Sequence, residues 1–183
     1  AAVLGSIQPQ PLDAAPDVSL PLDKVAANIK ADDSHFARTK LLSLENTHNG
    51  KVLPRDYLQQ AWTFTREKGL ALHVDGARIF NAVVAYGCEL REITQIFDSL
   101  TICLQKVLDA PPGSLLVGNS DYTPRSHRCR KTSGGGIRQV RILAAAEVSA
   151  LLTNVQRLLH DPPPAVSLYV LLLFTALDER RLH

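Results

Sequence analysis

Leu70-Ala71-Leu72-His73-Val74-Asp75-Gly76-Ala77-Arg78-Ile79-Phe80 decides how this chain folds. Residues 70–74 are a short, mostly apolar run of strand length. Gly76 interrupts it, and residues 77–86 then carry helical spacing up to Gly87. A strand running straight into a helix is half of a β–α–β unit, and the flanking sequence repeats the pattern. Upstream, residues 39–44 form a second strand candidate, followed by the turn cluster Asn46-Thr47-His48-Asn49-Gly50. Pro54 opens a helix whose apolar face is Tyr57, Leu58, Ala61, Trp62 and Phe64, and Lys68-Gly69 closes it. Residues 20–29 begin an earlier helix. Downstream come a short helix (89–97), two strands (99–104 and 114–117) and a long Ala/Leu-rich helix (137–159). The expectation is an α/β fold on a mostly parallel sheet.

Composition narrows the function classes. Of 183 residues, 20 are Lys or Arg and 18 are Asp or Glu, a net charge of +2. That is too little for a protein working by phosphate neutralisation, so no nucleic-acid partner is expected. At 45% hydrophobic residues the chain is not disordered. Three Cys do not make a disulfide framework and read as reduced thiols. No apolar run reaches the roughly 18 residues of a bilayer span, so no membrane partner is expected. The chain has no Met and starts at Ala1, which reads as a processed terminus or a piece of a longer polypeptide. No secretory signal pattern is seen, and the expected location is the cytoplasm. Pro162-Pro163-Pro164 halts any helix and sets residues 1–161 apart from a tail, 162–183. The tail's apolar run, residues 165–177, is expected either to pack on the core or to be an exposed, adhesive end.

In open parallel sheets, ligands bind beyond the carboxyl ends of the strands. The polar residues placed there are Glu45 and His48, Asp75 and Arg78, Lys106, and the loop after Val117. Asp75 reads either as a helix N-cap or as a carboxylate facing a crevice. Lys106 either snorkels at the end of its strand or sits in a pocket that makes its amine a nucleophile for carbonyls. An acid and a lysine at neighbouring strand ends are what pyridoxal phosphate needs: an amine for its aldehyde and an acid for its ring nitrogen.

Longer motifs carry a family resemblance. Leu42-Ser43-Leu44-Glu45-Asn46-Thr47-His48-Asn49-Gly50-Lys51-Val52-Leu53-Pro54 and Leu72-His73-Val74-Asp75-Gly76-Ala77-Arg78-Ile79-Phe80-Asn81-Ala82 resemble the low-specificity L-threonine aldolases. So do Thr101-Ile102-Cys103-Leu104-Gln105-Lys106, Gly113-Ser114-Leu115-Leu116-Val117-Gly118, Arg130-Lys131 and Gly134-Gly135-Gly136-Ile137-Arg138-Gln139. The likeness covers residues 1–161. It implies a fold-type-I, three-layer αβα large domain that binds pyridoxal 5′-phosphate, with residues 1–161 a partial copy. It implies cleavage of L-threonine or L-allo-threonine to glycine and acetaldehyde by a homo-oligomer. By the same resemblance Lys106 would hold the cofactor covalently, Asp75 would pair with the ring nitrogen, and Arg78 would lie beside the cofactor and bind the substrate carboxylate. His35 matches a histidine near the substrate hydroxyl. Lys131 and Arg138 match cationic positions near the active site or a subunit interface.

The chain also departs from the family. Gln105, Val107 and Asp109 stand where the family has Ser and Gly, and Asp109 would add negative charge near the cofactor phosphate. The family's upstream phosphate loop and ring-stacking residue, and its downstream carboxylate-binding arginine, have no recognisable counterpart here. An inactive binding module and a structural remnant are therefore the alternatives to a lyase. The chain alone is expected to turn over threonine poorly, and its truncated sheet is expected to associate or aggregate.

Overall fold

A computed structural model describes residues 1–111 and 113–160. Pro112, the triple proline and the apolar run after it lie outside the described residues. The elements in chain order are α1 (Ala2–Gly5), α2 (Leu22–Asn28), β1 (Leu41–Glu45), α3 (Arg55–Glu67), β2 (Ala71–Asp75) and α4 (Ile79–Tyr86). Then follow α5 (Leu90–Thr94), β3 (Ser99–Cys103), α6 (Leu104–Val107), β4 (Ser114–Gly118), α7 (Tyr122–Thr132) and α8 (Arg141–His160). The strands form one sheet in the order β1-β2-β3-β4. The first three are parallel and β4 is antiparallel to β3, so the mostly parallel α/β sheet is as expected.

Strand alternation sorts the sheet into two unlike faces. Leu42 pairs with Leu72, Leu44 with Val74, and Val74 with Leu100. These residues and Ile102 are at most 6% exposed. They form one core with Tyr57, Leu58 and Ala61 of α3 and Ile79, Phe80, Ala82 and Val83 of α4. Sequential parallel strands joined by crossovers of one hand place both connecting helices on the same side, which explains this asymmetry. Each buried Val, Leu, Ile or Phe among them contributes about 1.5–3 kcal/mol. The other face carries Ser43, His73, Thr101 and Leu116, and is half open to solvent among the described residues.

Three local features differ from expectation. The core position expected for Phe64 is taken by Thr65, fully buried with its hydroxyl donated to the Trp62 carbonyl. The third strand ends at Cys103, and Leu104 opens a single helical turn, α6. Leu104, the first residue of the turn, and Leu108, its C-cap, are both 0% exposed, so the turn is anchored at its two ends. Residues 122–132, where no element was expected, form α7, which has no buried residue. The triglycine ends α7 as a Schellman motif. Gly134 has φ +83°, its N–H donates to the Lys131 carbonyl, and the Gly135 N–H donates to the Arg130 carbonyl.

Candidate active site

Asp75 is the last residue of β2, level with Glu45 on β1 and Thr101 on β3. It does not cap α4, whose N-cap is Arg78. Its exposed carboxylate accepts two protein hydrogen bonds on the same oxygen. The Ala77 N–H donates to Oδ1 at 3.0 Å, and the Thr101 hydroxyl lies 3.4 Å from that atom. The next residue is clamped as well, because the Gly76 N–H donates to the Thr101 carbonyl at 2.9 Å. A Cβ on Gly76 would lie 2.5 Å from the Leu100 side chain and 2.9 Å from the Thr101 carbonyl oxygen, so only glycine fits. The backbone turn after β2 is therefore fixed, and Arg78 emerges from it exposed to solvent.

One rung below, His73 pairs with Ser99, and its Nδ1 lies 2.8 Å from the Ser99 hydroxyl. Burial pushes its pKa below the ordinary 6.5, against the opposing pull of the Asp75 charge and the Ser99 backbone. His73 and Asp75 thus stand on one face of β2, each facing a hydroxyl of β3.

The loop after β1 is built around a buried amide. Asn46 is 0% exposed; its Nδ2 donates to the Tyr86 hydroxyl at 3.0 Å, and its Oδ1 accepts the Leu53 N–H at 3.2 Å. Tyr86 in turn donates to the Leu53 carbonyl at 2.6 Å, and burial raises its pKa. His48 and Lys51 exchange both backbone hydrogen bonds around Asn49 (φ +49°) and Gly50 (φ +75°), a type I′ turn that Asn-Gly suits. This geometry sets His48 Nδ1 2.6 Å from the Glu45 carboxylate at the end of β1.

Lys106 rides on α6, just beyond the carboxyl end of β3, and is exposed. Leu104 and Leu108 anchor the turn beneath it. The unusual neighbours are accommodated: Gln105 faces solvent and Val107 packs against the core. Asp109 does adopt a positive φ, +51°, the backbone shape glycine favours, and its carboxylate pairs with Arg157 of α8 at 3.0 Å. His35 lies in the connection from α2 to β1. Asp33 accepts its backbone N–H at 2.8 Å and contacts its ring Nδ1 at 2.6 Å. Lys131 is on the last turn of α7 and Arg138 on the loop beyond, both exposed. β4 runs antiparallel, so α7 starts at the opposite edge of the sheet, with Tyr122 against Gly118.

The structure therefore gathers Asp75, Arg78 and Lys106, with Glu45 and His48, at the carboxyl edge of the parallel strands. Among the described residues no hydrogen bond or ion pair ties His35, Lys131 or Arg138 to that group. A groove of about 1190 Å³ lies elsewhere, between α3 and α5, and is lined by Arg55, Leu58, Phe64, Glu92 and Ile93. It contains none of the candidate residues and is floored by α3 surface. The edge is the better site because it carries an exposed amine, guanidinium and carboxylate just beyond the carboxyl ends of parallel strands. Sequence reasoning missed Thr101 and Asn46. Thr101 was legible as a strand residue on the same face as Cys103. Asn46 read only as turn chemistry.

A model of the beta-eliminating lyase family matches residues 1–180. Low specificity L-threonine aldolase of Escherichia coli K12 is 74% identical over 161 residues, taking in 88% of this chain and 48% of that protein. Low-specificity L-threonine aldolase of Candida albicans is 41% identical over 142 residues, 76% of this chain and 38% of that protein. Among solved structures, Leishmania major threonine aldolase superposes with a TM-score of 0.66 at 21% identity, covering 80% of this chain and 44% of that one, a likeness of fold. The chain spans about half the length of the first curated relatives it matches.

Proposed function

The chain belongs to the beta-eliminating lyase family, and from that premise we propose that it serves a pyridoxal-phosphate-dependent aldehyde-lyase cleaving L-threonine and L-allo-threonine to glycine and acetaldehyde. The reading rests on 74% identity to a low specificity L-threonine aldolase. The donor set at the carboxyl edge suits the cofactor. It offers an exposed amine, Lys106, for an aldehyde carbon. It offers a carboxylate, Asp75, on which both donors among the described residues address Oδ1, with Oδ2 offered to a ring N–H. When bound, pyridoxal phosphate supplies an electron sink for the pair released as the Cα–Cβ bond breaks.

The chain's own residues supply the rest. Lys106 would hold the cofactor through its amine. Asp75 keeps a proton at the ring nitrogen. Arg78, at the start of α4, takes the substrate carboxylate as a two-pronged donor. His35 accepts the proton of the β-hydroxyl. Asp33 suits it to that task, because a carboxylate on Nδ1 holds the proton there and leaves Nε2 as the base. Lys131 and Arg138 add positive charge at the rim of the site or between subunits of a homo-oligomer, with the homotetramer as the assembly. The setting is the cytoplasm, in threonine breakdown and glycine supply.

The test is acetaldehyde release from L-threonine in the presence of pyridoxal phosphate, compared with Lys106→Ala. Because the chain spans about half of its relatives, the expected turnover is low. Acetaldehyde above the Lys106→Ala background, matched by equal glycine, supports the reading. Release equal to that background contradicts it.

A further inference from the structure

We propose that Thr101 is a positioning residue for Asp75: it ties down one carboxylate oxygen and so leaves the other for a protonated ring nitrogen. This rests on the cofactor reading above. An exposed Asp side chain has several staggered χ1 wells open to it and a broad, two-fold χ2, so its orientation comes from hydrogen-bond donors and not from its own stereochemistry. Asp75 is exposed, and no apolar packing substitutes for those donors. Two are present, the Ala77 N–H and the Thr101 hydroxyl, and both address Oδ1.

Thr101 holds this corner twice. Its carbonyl accepts the Gly76 N–H at 2.9 Å, which fixes the backbone leaving Asp75. Its hydroxyl reaches the Asp75 side chain from the same rung of the β2–β3 ladder. Branching at Cβ restricts its χ1, so the hydroxyl is carried by a stiff side chain on a paired strand. Ser99 repeats the arrangement one rung below with His73. The two β3 hydroxyls together form a rail beside the polar face of β2. A carboxylate so held is preorganised, and a cofactor does not have to order it on binding.

The test uses Thr101→Val, which keeps shape and branching and loses the hydroxyl, and Thr101→Ser, which keeps the hydroxyl. The first readout is the Asp75 side-chain rotamer in the cofactor-free chain, from scalar couplings. The second is pyridoxal phosphate affinity by absorbance titration. The expected result is one dominant Asp75 rotamer in the parent and in Thr101→Ser, and averaged couplings in Thr101→Val. Affinity drops about 3- to 10-fold in Thr101→Val and stays within about 2-fold in Thr101→Ser. The inference is overturned if Thr101→Val keeps both the parental rotamer and the parental affinity. If the parent takes up no pyridoxal phosphate, the cofactor reading fails and the inference falls with it. The rotamer measurement still tells that failure from the loss of the positioning role alone. Should Thr101→Val melt far below the parent, the Thr101→Ser and Thr101→Ala pair gives the same comparison.

Discussion

Gly76 is the point at which the site has no slack. A methyl group there meets the Leu100 side chain and, less forgivingly, the Thr101 carbonyl oxygen. Gly76→Ala is expected to cost about 1–3 kcal/mol, the usual range for overpacking, read as a lower denaturation midpoint. It should also displace Asp75, so cofactor affinity falls with stability. His73 gives a second residue-level prediction. Its folded pKa is lowered mainly by burial, so the fold favours the neutral ring. Its contribution is fully present above the ordinary value of 6.5. It is lost as pH falls below 6.5 and through the lowered folded value, because the unfolded chain takes up the proton first. Stability measured from pH 7.5 to pH 5 should fall more in the parent than in His73→Gln; parallel curves would contradict this. Asp109 shows how far single residues were legible. Its mismatch with the family's glycine was visible in the sequence, and the backbone there does take the left-handed shape. Its partner was not visible, because Arg157 lies 48 residues away on a helix whose packing only the fold reveals.

The elements divide by how much apolar surface they bury. α3 carries Tyr57, Leu58, Ala61 and Thr65 into the core, and its apolar period made it plain in the sequence. β1, β2 and β3 were legible for the same reason. α7 buries nothing, so no apolar period announced it; it is closed by the Schellman hydrogen bonds at Gly134 and Gly135. An isolated helix of this length is marginal in water. Amide exchange in α7 is therefore expected to be fast, with protection far below that of α3. Equal protection in the two would mean that something covers α7. α6 escaped notice because four residues are too few for periodicity, and its pull comes from long-range burial of Leu104 and Leu108.

Among the described residues, the sheet is covered on one face and half open on the other. Leu41 is 50% exposed and Leu116 44%, on a face that also holds Ser43 and Thr101. Half-open apolar surface and unpaired strand edges favour association, and a net charge of +2 opposes it weakly. Sedimentation velocity should therefore show mass rising with concentration, and a clean monomer at every concentration would contradict this. The class of fold and the candidate site edge were readable because each depends on local strand-to-helix switches. The unlike faces were not, since they follow from the order in which strands pair. The central claim is that Lys106, beside Asp75 at the carboxyl edge, is the residue that holds pyridoxal phosphate. The direct measurement is to add one equivalent of the cofactor, reduce with borohydride, digest, and map the pyridoxyl group by mass spectrometry. The account predicts the label on Lys106, lost in Lys106→Ala and weakened in Asp75→Ala. Label spread over other lysines, or none at all, would contradict it.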